Sequence, residues 1–171
     1  EKPEYLTVTF DVHAPTFRHE MFADYKGTRK PMAEELRQQV PVITDVLRAM
    51  HIEVIEKAGL EADDLLGTLS HRCEEKGMDV SIISGDRDTL QLATEHIKIR
   101  IPKTKQGKTE VEDYYAADVQ ERYGVTPKEF IDVKALMGDT ADNIPGVPGV
   151  GEKTATKIIQ QYQTIENAYE H

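Results

Sequence analysis

The chain has one cysteine in its 171 residues and no tryptophan. A lone Cys73 excludes an internal disulfide, and with it the cross-linked scaffold of small secreted proteins. No Cys/His spacing of the kind that holds zinc surrounds it. It lies in Leu69-Ser70-His71-Arg72-Cys73, a stretch of helical character, where the expected role is that of a small buried hydrophobe; a reactive thiol is the alternative. This cysteine usage fits a reducing cytoplasm. No stretch approaches the roughly 18 consecutive apolar residues of a membrane span, so no membrane partner is expected. The start, Glu1-Lys2-Pro3-Glu4, lacks the basic-then-apolar layout of a secretory signal and has no initiator Met. The chain is therefore expected to be processed, or a piece of something longer. Internal repeats and low-complexity segments are absent. So is the Gly-x-x-x-x-Gly-Lys-Ser/Thr spacing of a P-loop, because Glu152 stands between Gly151 and Lys153.

Positive charge is also scarce. Lysine and arginine total 21 against 31 acidic residues, for a net charge of −10. A nucleic-acid protein usually shows a basic footprint, so this balance counts against one unless the acids have work of their own. What is present suits a globular protein: 39% hydrophobic residues for a core, 30% charged, and a mean hydropathy of −0.53. The length fits one domain, or one domain with a small appended module.

Along the chain, Tyr5–Phe10 is a β-rich run ending at Asp11. A polar, basic and aromatic stretch follows from Arg18 to Lys30. Pro31 suits the first position of a helix, and Met32–Met50 has helical composition with Pro41 as an expected kink or break. Ile52–Ile55 reads as a strand and Ala62–Lys76 as a helix whose apolar face is Ala62, Leu65, Leu66, Leu69 and Cys73. Val80–Ile83 and Ile97–Ile101 read as strands, with a short helix at Leu90–Ala93 between them. Gln106-Gly107-Lys108 reads as a hairpin turn into Thr109–Val111. Helices are expected at Ala116–Tyr123, Pro127–Met137 and Glu152–Tyr162. Strands alternating with helices, then helices alone, predict an α/β layered sheet flanked by helices and a helical end. The expected division is a core over residues 1–114 and a helical module over 115–171.

The acids are unevenly placed. Asp11 directly follows a strand. Glu61, Asp63 and Asp64 open a helix. Asp86 and Asp88 follow the strand ending at Ile83, and Asp139 and Asp142 flank a turn before a Gly/Pro-rich loop. Ligands of open α/β sheets gather beyond the carboxyl ends of the strands, which makes Asp11, Asp86 and Asp88 candidates for one edge. Taken singly, each acid has a plain reading as a cap, a helix-dipole partner or a solvated charge. Four clusters together point elsewhere, because crowded carboxylates repel unless a cation compensates them. Mg²⁺ is bound by oxygen ligands together with phosphate, and two-metal sites, with ions about 3.5–4 Å apart, need more carboxylates than one pair supplies. Setting these eight acids aside from the −10 leaves −2 for the remainder. The acidity thus becomes an argument for metals.

Two further segments bear on phosphate. In Asn143-Ile-Pro145-Gly146-Val-Pro148-Gly149-Val-Gly151-Glu152-Lys153-Thr154, the glycines allow close backbone approach, and a helix N-terminus follows that can face an anion. Gly146, Gly149, Gly151, Lys153 and Thr154 are the candidate contacts. The pattern is similar to a helix-hairpin-helix, which grips the DNA backbone without reading sequence; a helix–helix turn whose glycines serve only the bend is the alternative. In the basic segments Thr16–Glu20 and Tyr25–Lys30, arginine and lysine are candidates to engage a phosphate, and Phe17 or Tyr25 to stack on a base; a solvated surface loop is the alternative. His13 and His19 show no metal-ligand spacing.

In order, Phe10-Asp11, Thr16-Phe17-Arg18-His19-Glu20, Tyr25-Lys26-Gly27-Thr28-Arg29, Glu61-Ala62-Asp63-Asp64, Gly85-Asp86-Arg87-Asp88, Gly138–Asn143 and Gly146–Lys153 resemble the 5′–3′ exonuclease domain of bacterial DNA polymerase I, within the flap endonuclease superfamily. The similarity runs through essentially the whole chain. It implies a resolvase- or PIN-like core, a helix-hairpin-helix module, and a metal-dependent 5′ nuclease acting on flapped, nicked or branched DNA and RNA primers in replication and repair. It implies Asp11, Glu61, Asp63, Asp64, Asp86, Asp88, Asp139 and Asp142 as direct or water-mediated ligands of Mg²⁺ or Mn²⁺. Lys26 and Arg29 would lie at the base of a helical arch, about residues 16–50, with Arg18 near the scissile phosphate. The glycine loop would hold duplex DNA, with K⁺ as a bound monovalent cation. The family begins with a strand carrying an earlier Asp and continues past His171, so a fragment is expected, with a polymerase domain as a potential covalent neighbour. A DNA-binding fragment without activity and a related nuclease acting on RNA are the rival readings.

Overall fold

β-Branched residues follow one another in Thr7, Val8 and Thr9, and this short run forms β1 (Thr7–Thr9). It pairs in parallel with β2 (Glu53–Ile55), in register Thr7 with Glu53 and Thr9 with Ile55. The computed structural model describes residues 2–105 and 107–171. The expected turn residue Gln106 lies outside the described residues. The chain divides into two compact units, Glu1–Leu66 with Ala141–Asn143, and Gly67–Thr140 with Ile144–His171. The residue 114/115 boundary expected from sequence falls inside the second of these.

In the first unit, α1 (Phe17–Met21) opens the polar, basic and aromatic stretch, to which the sequence pattern assigns no element. Its cap is Thr16, buried, which closes a capping box with His19: the Thr16 N–H donates to His19 Nδ1 over 3.1 Å. A histidine in that role is outside the usual Ser/Thr-x-x-Glu/Gln signature, so the pattern gives little warning of it. The helical stretch that follows is interrupted at Gln38, dividing α2 (Glu34–Arg37) from α3 (Gln39–Ala49). Pro41 sits in the first turn of α3, where its missing N–H costs no helical hydrogen bond, and the break precedes it by three residues. Pro31 lies ahead of α2 rather than within it.

The chain leaves the first unit within α4 (Ala62–Glu74). Cys73 on this helix is free and only half-buried. In the second unit, β3 (Val80–Ile83) pairs in parallel with β4 (Ile97–Lys105), which pairs antiparallel with β5 (Lys108–Tyr114). Ile97, Ile99 and Ile101 alternate inward along β4 and are buried. They meet a core that also holds Leu90, Val119, Val125, Val133 and Ile159. Full burial of such a side chain stabilises by about 1.5–3 kcal/mol.

After β5 the unit is helical: α5 (Ala116–Tyr123), α6 (Pro127–Met137), α7 (Glu152–Tyr162) and α8 (Ile165–Glu170). Gly124, at φ 74°, closes α5 in the left-handed conformation that glycine adopts without strain. Thr126 and Glu129 then open α6 with reciprocal bonds of 3.2 and 2.8 Å, and Pro127 takes the first helical position. Between α6 and α7, Gly138–Asp139 (β6) and Ile144–Pro145 (β7) form a two-residue antiparallel bridge. Among the described residues no helix is long and apolar enough to cross a membrane.

Candidate functional site

In the first unit the basic segment folds onto acids drawn from two distant parts of the chain. Asp11, just past β1, accepts the Ala62 N–H over 2.7 Å and so sits at the start of α4. Asp64, in the first turn of α4, turns back to accept the Glu61 N–H over 2.9 Å. Part of the acidity here therefore does serve helix capping. The same Asp64 is also gripped in bidentate fashion by Arg18, through Nη1 at 2.8 Å and Nη2 at 2.7 Å. Such a fork-to-carboxylate pair is among the stronger charged hydrogen bonds, and it holds the Asp64 carboxyl below its ordinary pKa.

Lys26 Nζ lies 2.8 Å from Glu61 Oε1. Its backbone adopts a positive φ of 55°, and its N–H donates to the Asp142 carbonyl over 2.8 Å. Arg29 pairs with the Asp142 carboxylate and donates from Nε to the Ala141 carbonyl over 3.1 Å. Tyr25 is 5% exposed, and its hydroxyl donates to Glu61 at 2.9 Å and to Asp142 at 3.2 Å. Burial and these carboxylates push its ionisation far above the ordinary tyrosine value. A buried Tyr25 cannot stack on a base, as its composition suggested; it ties together two acids 81 positions apart in sequence. Phe17 is more open, with the Arg18 guanidinium 4.5 Å from its ring centre. Asp63 is exposed on α4.

In the second unit, Asp86 caps the 3-10 turn Arg87–Leu92, its carboxylate accepting the Asp88 N–H over 2.9 Å. Asp88 faces Lys134 of α6, whose Nζ is 3.0 Å from Asp88 Oδ1 and 3.0 Å from Asp139 Oδ2. Beside this trio is a cavity of about 150 Å³ whose lining includes Arg87, Asp88, Tyr123, Phe130, Val133 and Lys134. The glycine loop divides in role. A Cβ on Gly146 would stand 2.3 Å from the Met137 carbonyl carbon, so this glycine serves a backbone crossing within the chain. Gly149 (φ 80°) and Gly151 face open space, and Gly151 begins α7 without a capping side chain. Lys153 and Thr154 are exposed in the first turn of that helix.

Two residues of these clusters escape a reading of the sequence. Tyr25 is joined to Asp142, 117 positions away, and no local pattern announces that. Lys134 had a faint signal in its position five residues before Asp139 at the end of a helix.

Among the described residues, no three Asp, Glu, His or Cys side chains converge at metal-ligating spacing. The carboxylates stand instead in pairs: Glu61 with Asp142 across the Tyr25 hydroxyl, and Asp88 with Asp139 across the Lys134 ammonium. Hard divalent ions such as Mg²⁺ commonly use one or two carboxylates and complete their shell with water and phosphate oxygens. Both carboxylate pairs are oxygen-only and fit such an ion; the Asp88–Asp139 pair already holds a cation, the Lys134 ammonium, in that place. They do not fit an all-protein cage.

Family models of known proteins cover the chain in two parts. Residues 1–124 match the 5′–3′ exonuclease N-terminal resolvase-like domain, and residues 125–171 match the 5′–3′ exonuclease C-terminal SAM fold. The chain is 49% identical over 167 residues to DNA polymerase I of Bacillus caldotenax, a match covering 98% of this chain and 19% of that protein. It is 47% identical over 170 residues to DNA polymerase I of Bacillus subtilis (strain 168), covering 99% and 19%. The chain thus spans about a fifth of the length of these relatives. Among solved structures, the T5 D15 protein co-crystallised with metal ions matches with a TM-score of 0.81 at 26% identity, over 98% of this chain and 65% of that one. A pseudo-enzyme-product complex of the bacteriophage T5 flap endonuclease with DNA and metal ions matches with a TM-score of 0.80 at 25% identity, over 98% and 64%. The catalytic core of Rad2 in complex with DNA substrate shares the fold, with a TM-score of 0.59 at 22% identity, over 94% and 48%.

Proposed function

The chain belongs to the 5′–3′ exonuclease family, and from that premise we propose that it is the nuclease part of a DNA polymerase I, hydrolysing DNA phosphodiesters at 5′ flaps, nicks and branches. The observation that carries this reading is in the first unit. Glu61, Asp64 and Asp142 are gathered onto one basic segment whose cations are Arg18, Lys26 and Arg29. Such a mixed cluster suits phosphate hydrolysis, in which charge must be balanced on both sides of the reacting group.

Asp11, Glu61, Asp63, Asp64, Asp86, Asp88, Asp139 and Asp142 are the proposed ligands, direct or through water, of Mg²⁺ or Mn²⁺. Bound divalent ions would supply Lewis acidity and a lowered pKa for water. The chain's own cations do the rest. Arg18, Lys26 and Arg29 exchange their carboxylate partners for non-bridging phosphate oxygens, which orients the phosphodiester and offsets its developing charge. Gly149, Gly151, Lys153 and Thr154 present amides and a positive charge to the backbone of the duplex, with Gly146 fixing the loop's shape and K⁺ a candidate ion there. Functionally we divide the chain into a catalytic core with its arch over about residues 1–114 and a DNA-holding module from 115 onward.

Replacing Asp86 with Ala is expected to lower flap cleavage by about a hundredfold or more, the scale of a lost electrostatic contributor, while DNA affinity moves by less than about threefold. Unchanged cleavage would sink the assignment. The rival reading is a DNA-holding segment without cleavage. Equal binding with no cleavage at any metal concentration would select it.

A further inference from the structure

Lys134 lies in the last turn of α6, and its ammonium stands between Asp88 and Asp139, 3.0 Å from an oxygen of each. All three belong to the second unit. Their side chains are 26%, 36% and 23% exposed, so the charges meet in a partly desolvated setting where Coulomb forces exceed those at an open surface. Burial raises the Asp88 carboxyl above its ordinary pKa, Lys134 opposes that rise, and Asp86 and Asp139 add to it. Burial works against the charge on Lys134 as well, but its two carboxylate partners outweigh it and hold the ammonium firmly protonated.

An ammonium touching both carboxylates occupies the ground a small hard cation would take. Two positive charges cannot share that gap without strong repulsion. The lysine stem is flexible and its head is a compact, mobile point charge, so it can leave without unfolding α6. We propose that Lys134 is a built-in counter-cation of the Asp88–Asp139 pair, which holds the two carboxylates together in the metal-free chain and hands them over when a divalent cation binds. This rests on the reading of Asp88 and Asp139 as metal ligands.

Two measurements on the whole chain test it, neither depending on activity. The first is acetylation of lysines by a limiting reagent, read by mass spectrometry in EDTA and in Mn²⁺, with Lys128 as internal reference. Lys134 is expected to react roughly threefold faster, or more, when Mn²⁺ is bound, the release of about one ion pair. The second is calorimetric titration with Mn²⁺. Lys134→Met is expected to bind the ion roughly three- to tenfold more tightly than the unaltered chain, and Lys134→Arg to stay close to it. If Mn²⁺ binds but Lys134 reactivity is unchanged or falls, the handover is overturned and the metal reading stands. If the unaltered chain shows no heat of Mn²⁺ binding and no thermal stabilisation, the metal reading fails and the handover fails with it. The acetylation arm uses no variant, so it decides the matter even if Lys134→Met does not fold.

Discussion

At the scale of single residues, the Arg18–Asp64 pair shows how the cluster stabilises itself. Asp64 is held below its ordinary pKa chiefly by the Arg18 hydrogen bonds. A depressed carboxylate contributes stability above the unfolded value of about 3.9, and that contribution is lost as pH falls through the native value. Arg18→Met should therefore cost about 1 kcal/mol at pH 7, a figure kept small because Arg18 is one-third exposed. The gap from the unaltered chain should narrow by about pH 3, below that unfolded value. Urea midpoints at the two pH values check this, and a gap that persists in acid would refute the pairing as its source. Single acids were legible in the sequence because Asp and Glu cluster visibly beside strand ends and helix starts. Their partners were not. Arg18, Lys26, Arg29 and Tyr25 meet acids 35 to 117 positions away, and such pairing depends on tertiary folding that no local pattern encodes.

At the scale of elements, legibility followed the strength of the local signal. α5, α6 and α7 begin and end where composition placed them, each bounded by glycine, proline or a capping box. β3 likewise matches its apolar run. α1 went unseen because its capping partner is a histidine and its five residues are too few to show a period. β4 and β5 extend well beyond the apolar stretches that announced them, since charged residues such as Lys103 and Glu112 pair across the hairpin. The turn between α6 and α7 and the first turn of α7 yield one prediction each. Gly146→Ala should destabilise the chain by about 2 kcal/mol or more, because its Cβ would collide with the backbone at Met137. Chemical denaturation measures that, and a change under about 0.5 kcal/mol would contradict the crossing. Lys153→Ala should leave stability unchanged and weaken DNA binding to the same degree for every sequence, lowering the salt slope by about 1. A sequence-selective loss would point to base contact instead.

At the scale of the whole chain, a net charge of −10 and the proposed DNA substrate are reconciled if metal ions neutralise the acids. The structure sharpens that requirement. Carboxylates and basic side chains are engaged with one another, so the groups proposed to bind phosphate are occupied internally. Divalent ions would then free the cations as well as balance the charge. The central claim is therefore tested most directly by incubating this chain with a labelled 5′-flap DNA, in EDTA and across a titration of Mg²⁺ and Mn²⁺, and following release of the flap. The account predicts cleavage near the branch point that rises with metal and vanishes in EDTA. Cleavage that persists undiminished in EDTA, or none at any metal concentration despite tight DNA binding, would contradict it.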